Sequence, residues 1–214
     1  MATVPIALVL FATYQLGSTA NDFHKVMAAR CYHTPDIDWS ENINAYLRKI
    51  PENISAGDLG ESWFMTFSLE NPKLAGFGNM WVYKPPYIFC VGNRTVIEAV
   101  VFAEDPLRIN VDWKSCTGSS GTFGSTVSAS QLRLYFLVVS YSDGSHQIRL
   151  RNIKPDNLED PKLFVTGTSR GMSAFVEAIG VVGMPHLELG WNRYLRDDVP
   201  SLIDEKMASS YNEV

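Results

Sequence analysis

The chain has 214 residues, 46% of them hydrophobic and 19% charged, and a formal net charge of −5 from 18 Lys or Arg against 23 Asp or Glu. That length suits one domain or two small ones, with enough core to bury about 70% of the unfolded surface. A mildly acidic chain with no run of Lys or Arg lacks the electrostatic footprint of a nucleic-acid binder, and after residue 20 no stretch approaches the roughly 18 apolar residues of a membrane-spanning helix.

The first twenty residues carry no charge and end in small residues. Their apolar part, Val4 to Phe11, is too short for a membrane span, which takes about 20 residues. Ser18 and Ala20 occupy the small-residue positions a signal peptidase requires, and the polar stretch Asn21-Asp22-Phe23-His24-Lys25 follows at once. Residues 1–20 are therefore expected to be a signal peptide, and 21–214 a single secreted, extracellular domain. A buried N-terminal strand is the alternative.

The spacing predicts a helix over 36–50, with Asp38 as N-cap and Glu41 completing a capping box. Trp39, Ile43, Tyr46, Leu47 and Ile50 recur at helical spacing until Pro51. A loop bearing Asn53, Gly57 and Gly60 should follow. From 62 to 166 the period changes to two. Strands are expected over 63–69, ending at the turn Asn71-Pro72, then over 79–83 and 87–91 around Lys84-Pro85-Pro86, and over 95–103. In 107–113, Leu107, Ile109, Val111 and Trp113 alternate with Arg108, Asn110 and Asp112, the pattern of a half-buried strand. Residues 118–124 look like a Gly-rich loop or bulged hairpin. Strands 132–141 and 146–153 flank Asp143-Gly144, a hairpin signal, and 162–166 is a last short strand. Met172, Phe175, Val176, Ile179 and Val182 mark a helix ending near Gly183 and Pro185. Leu187, Trp191, Tyr194, Leu195, Leu202, Ile203 and Met207 mark a second, kinked by Pro200. The order of elements is α+β: a long curved antiparallel sheet around an amphipathic helix, with helices at both chain ends.

Three cysteines remain to be placed. In an oxidising compartment Cys90 is expected to pair with Cys116, since both lie in the region of predicted strands. That bridge closes a loop of about 25 residues and contributes about 3–4 kcal/mol on the chain-entropy model. Cys31 is then left over. Asn53-Ile54-Ser55 and Asn93-Arg94-Thr95 are acceptor sequences for N-glycosylation.

Gly167-Thr168-Ser169-Arg170-Gly171 fits the G-x-S-x-G of a nucleophile elbow, between a predicted strand and a predicted helix. A Ser hydrolase using Ser169 would need an acid and then a His later in the chain, but His186 precedes Asp197-Asp198. The plain alternative is a Gly-flanked turn into a helix. His24, His33, His146 and His186 show no metal-ligand spacing, and Gly118-Ser119-Ser120-Gly121 lacks the Lys-Ser/Thr ending of a phosphate loop. No catalytic constellation, metal site or cofactor site is expected, and the chain is expected not to be an enzyme.

Several segments carry a family resemblance: the helix over 36–50, Leu-Glu-Asn-Pro-Lys-Leu-Ala-Gly-Phe-Gly at 69–78, Leu-Arg-Ile-Asn-Val-Asp-Trp at 107–113, Ile-Arg-Leu-Arg-Asn-Ile-Lys-Pro-Asp at 148–156, the strand entering Gly167, and the helical C-terminal region. In this order they resemble the tubular lipid-binding superfamily. It includes the bactericidal/permeability-increasing and lipopolysaccharide-binding proteins, the arthropod juvenile hormone-binding and takeout proteins, and the group 7 mite allergens. The chain departs from the hormone carriers in lacking a second cysteine beside Cys31, and from the family in breaking its C-terminal helix near Pro185 and Pro200. The resemblance implies a sheet curled around a long helix, with an elongated apolar cavity for a lipid or terpenoid.

Inward positions of the predicted elements supply the expected ligand contacts: Leu47, Phe67, Phe77, Ile109, Val111, Leu134, Phe136, Phe175, Ile179 and Trp191. The expected partners are a small apolar ligand and a protein receptor, with no nucleic acid and no integral membrane segment after signal cleavage. The alternative is a secreted innate-immune or allergen-like interaction module whose interior is fully packed.

Overall fold

The computed structural model describes residues 31, 37–56, 62–64, 67–128 and 130–211; the expected signal peptide lies outside the described residues. The first helix, α1, runs Trp39–Leu47. The Asp38 carboxylate accepts from the backbone N–H groups of Ser40 at 3.0 Å and Glu41 at 3.2 Å, which is one half of the expected capping box. Glu41 itself pairs with Arg48. Trp39, Ile43, Tyr46 and Leu47 are the buried stripe.

Eleven strands follow among the described residues: β1 (Asn53–Ser55), β2 (Ser62–Phe64), β3 (Phe67–Ala75), β4 (Met80–Val82), β5 (Tyr87–Val91), β6 (Arg94–Ala103), β7 (Leu107–Ser115), β8 (Ser120–Val127), β9 (Ser130–Ser140), β10 (His146–Leu158) and β11 (Lys162–Val165). All pair antiparallel, in two sheets rather than the one expected. The first has the order β1-β3-β7-β8-β11 with β2 on β3, and the second the order β10-β9-β6-β4 with β5 on β6. The C-terminal region forms α2 (Arg170–Val182), α3 (Met184–Asp197) and α4 (Val199–Tyr211). Pro185 and Pro200 fall in the first turns of α3 and α4, where a missing N–H costs no helical bond. The fold is α+β with helices towards both chain ends.

Two expectations change for local physical reasons. Asn71-Pro72 does not end a strand; it is a bulge inside β3, with Asn71 at φ 50° and the register on β7 shifting between Glu70 and Lys73. A bulge tolerates proline because one residue there is unpaired. The Pro72 carbonyl accepts from the Ala56 N–H at 2.9 Å, so residues expected as loop form the edge strand β1. Of the two alternatives for the Gly-rich stretch 118–124, the structure takes the hairpin: residues 116–119 turn the chain, and Ser120 onward is β8, inside the first sheet. A Cβ on Gly121 would stand 2.0 Å from the Thr166 carbonyl oxygen, and one on Gly124 2.3 Å from that of Ile109.

Both sheets and three helices supply one apolar cluster. Ile43 and Leu47 of α1 meet Ile97 of β6, Leu134 and Phe136 of β9, Ile153 of β10, Trp191 of α3 and Ile203 of α4, with Ile54, Leu74, Leu107 and Val127 from the first sheet. Tyr46 sets its ring edge-on to Phe136. Each large side chain buried here contributes about 1.5–3 kcal/mol. Arg133 of β9 bridges Glu98 of β6 at 3.1 Å and Asp156 of β10 at 2.9 Å, and Arg149 of β10 pairs with Asp204 of α4.

The expected Cys90–Cys116 bridge is corrected. Cys90 pairs with Cys31, their Cα atoms 5.2 Å apart, and Cys116 is a free, exposed thiol. Cys116 lies in the β7–β8 turn of the first sheet, whereas Cys90 is on β5 of the second, so membership of the strand region was no guide to proximity. The Cys31–Cys90 bridge spans 59 residues, and closing a loop of that size constrains the unfolded chain by about 4 kcal/mol on the chain-entropy model.

Candidate functional site

The chain leaves β11 through Gly167 at φ +76°, where a Cβ would stand 2.0 Å from the Ser120 carbonyl oxygen. Ser169 then starts α2. Its Oγ accepts from the Met172 N–H at 3.4 Å, and its backbone is ordinary extended chain, φ −66° and ψ 152°. A nucleophile elbow holds its Ser on a strained turn; Ser169 is an unstrained helix N-cap. The sheet before it is antiparallel throughout. The hydrolase reading of G-x-S-x-G is therefore replaced by the plain one, a glycine turn followed by a cap.

The helix that Ser169 starts is laid on the sheet by its small residues. The Ser173 hydroxyl donates to the Val165 carbonyl at 3.2 Å, and Gly180 is buried so close to β11 that a Cβ would lie 3.1 Å from the Leu163 nitrogen. The apolar stripe, at 172, 175, 179 and 182, is turned away from that contact. Met172 is 48% exposed, Phe175 59% and Val182 86%, and Ile179 is half-buried. Val181 and, on α3, Leu189 are also exposed. An exposed apolar stripe of this kind marks a binding surface more often than a single exposed residue does.

The other expected ligand contacts lie elsewhere. Leu47, Phe77, Leu134, Phe136 and Trp191 are buried in the common cluster. Trp191 is further fixed by donating its indole N–H to Ser125 Oγ at 2.9 Å. Ile109 and Val111 are half-buried on β7. Phe67 opens β3, and its side chain lies outside the described residues. The structure thus gathers five of the ten in the core and sets Phe175 and Ile179 apart on α2. Met172 and Val182 belong with them, and their helical spacing was visible. Which face of that helix would be left uncovered was not.

A shallow polar groove runs across β3, β7 and β8, lined by Glu70, Asn71, Asp112, Lys114 and Thr122 among others. Its central carboxylate is already partnered: Asp112 accepts from Lys73 Nζ and Asn71 Nδ2, each at 3.3 Å, and from Thr122 Oγ1 at 3.5 Å. Among the described residues, no three His, Cys, Asp or Glu side chains gather as a metal site requires. No helix among them is long and apolar enough to cross a membrane. Elsewhere, the Asp156 carboxylate bound to Arg133 raises the pKa of that guanidinium. Partial desolvation, aided by the neighbouring Asp197, raises that of Asp198.

The architecture is that of an α+β protein with antiparallel sheets and an amphipathic helix presented on one edge. In layout it is similar to Takeout 1 of Epiphyas postvittana, with a TM-score of 0.47, 9% identity, and 79% of this chain covered against 87% of that one. It is also similar to lipopolysaccharide binding protein, with a TM-score of 0.36, 11% identity, and 76% of this chain covered against 35% of that longer one. No protein-family model and no curated protein matches the sequence.

Proposed function

We propose that this chain is a secreted, non-enzymatic binding protein for a small apolar ligand of the lipid or terpenoid class, and that the ligand is held against the stripe Met172, Phe175, Ile179 and Val182. One observation carries the reading: α2 is an amphipathic helix that rests on the sheet by Ser173 and Gly180 and leaves Met172, Phe175 and Val182 of its apolar side exposed. Burying that side in water-free contact is favourable at about 25 cal/mol per Å². A helix whose only task was to close the fold would direct it inward. The lipid class comes from the family resemblance of the sequence segments.

Native mass spectrometry of the secreted, deglycosylated protein, followed by denaturation and organic extraction, tests the proposal. A stoichiometric apolar mass that leaves on denaturation is the expected result. A bare polypeptide mass, together with no uptake of a fluorescent fatty-acid probe, overturns it. The second reading, an interaction module with a packed interior that engages a protein receptor, is favoured by the burial of Leu47, Phe77, Leu134, Phe136 and Trp191 in one cluster. A bare mass would leave that reading standing.

A further inference from the structure

Asn93, Thr95 and the Cys31–Cys90 bridge occupy one corner of the second sheet. Val91 and Arg94 are register partners, so Gly92 and Asn93 form a two-residue hairpin tip, with Gly92 at φ +59°. Cys90 and Thr95 are the next partners in register. The Thr95 hydroxyl lies 3.9 Å from Cys31 Sγ and 3.8 Å from Cys90 Sγ, and Thr95 is half-buried. Asn93 itself is exposed, so a glycan on it fits the folded protein.

Glycan transfer and disulfide closure make opposite demands on these residues. In the first, Asn93 Nδ2 attacks the anomeric carbon of a lipid-linked oligosaccharide. A C–N bond forms, the sugar–phosphate C–O bond breaks, the lipid pyrophosphate leaves and the amide gives up a proton. The transferring enzyme must draw the tripeptide out as extended chain and grip the hydroxyl of Thr95. In the second, the thiols of Cys31 and Cys90 surrender two electrons and two protons to the disulfide of a thiol oxidoreductase, which becomes a dithiol. That step locks Thr95 in register against the new S–S bond. Cys90 and Asn93 stand three positions apart, so both become available at nearly the same moment of synthesis.

We infer that Asn93 is glycosylated only before the Cys31–Cys90 bond closes, so that the chain leaves the cell as two forms, with and without a glycan at Asn93. The inference rests on the secretion reading above. Asn53 serves as the internal control: it and Ser55 are both exposed on the three-residue edge strand β1 of the first sheet, whereas Cys90 is on β5 of the second.

The experiment expresses residues 1–214 in secretory cells and measures site occupancy by mass spectrometry after enzymatic removal of glycans in heavy-oxygen water. Three proteins are compared: C116S, C31S/C116S and L134A/C116S. The expected result is partial occupancy of Asn93 in C116S and at least a twofold drop in the unoccupied fraction in C31S/C116S, with Asn53 unchanged. L134A/C116S weakens the core without touching the bridge and should match C116S at Asn93. A brief reductant pulse on cells making C116S should raise Asn93 occupancy as the C31S change does. Equal Asn93 occupancy with and without Cys31, or an equal rise from L134A, overturns the inference while Asn53 glycosylation leaves secretion intact. Absence of glycan at both sites in protein retained by the cell overturns the secretion reading and this inference together.

Discussion

Asp198 shows how one residue can serve two helices at a cost. Its N–H donates to the Tyr194 carbonyl at 3.0 Å, finishing α3, and its own carbonyl accepts from Leu202 N–H at 3.2 Å and Ser201 Oγ at 2.7 Å, starting α4. The side chain is held beside Asp197, and partial desolvation first and that neighbour second raise its pKa, with Arg193 opposing. The folded state therefore holds this proton more tightly than the unfolded state, and stability falls as pH rises from the unfolded carboxylate value through the folded one. D198N keeps the shape and removes the charge. Its urea midpoint should exceed that of the parent at pH 7, and the two should converge below about pH 3, where the ordinary carboxylate with pKa about 3.9 is protonated in both states. A lower midpoint for D198N at pH 7 would mean that attraction between the carboxylate and the α4 N-terminus outweighs desolvation. At this scale the sequence is readable wherever a residue acts on its own neighbours. Asp38 caps α1 as its type predicts, and Ser169 caps α2 by the same chemistry. Cys90 was misread because its partner is chosen by the sheet it joins, which local sequence does not encode.

Elements were legible where the period was clean and obscure where backbone contact replaced side-chain packing. The alternation Leu107 to Trp113 gave β7, and Asp143-Gly144 gave the β9–β10 hairpin, with Gly144 at φ +83°. β8 was not read as a strand because Gly121 and Gly124, a residue type depleted in strands, interrupt Ser-Gly-Thr-Phe-Gly-Ser-Thr-Val. Its glycines are there for a reason that strand patterns omit: the neighbouring backbones approach too closely for a Cβ. The consequence is testable. G124A would place its methyl group 2.3 Å from the Ile109 carbonyl oxygen and 2.9 Å from the Asn110 Cα, both on β7. Separating the two strands should cost about 1–3 kcal/mol or more, seen as a lower urea midpoint. G118A, in the turn before β8, is the comparison: unlike Gly124 it is at positive φ, +87°, and has open space around it. It carries only the strain of a left-handed backbone, about 1 kcal/mol. A loss in G124A no larger than that in G118A would mean that the close approach of β7 does not explain the glycine at 124.

Over the whole molecule, the sequence distinguished apolar from polar faces but not covered faces from open ones. Leu134 and Phe175 read alike in sequence, each a large apolar residue on the favoured side of its element. Leu134 is fully buried between the α1 side and the rest of the cluster, while Phe175 is 59% exposed on α2. The difference arises because α2 meets β11 through Ser173 and Gly180, and a contact made by small residues leaves no hydrophobic trace for a periodicity argument to follow. The two positions should therefore separate stability from binding. L134A opens a cavity in the core and should lower stability by about 2–5 kcal/mol. F175S removes a side chain with little protein around it, and its stability should stay within about 0.5 kcal/mol of the parent. Ligand binding reverses the order. If the stripe on α2 holds the ligand, burying Phe175 against it supplies about 1.5 kcal/mol or more, so F175S should weaken a fluorescent fatty-acid probe at least tenfold, about 1.4 kcal/mol. L134A, measured where it remains folded, should bind within a few-fold of the parent. An F175S protein that binds the probe normally while L134A loses it would move the ligand from the open face of α2 into the core.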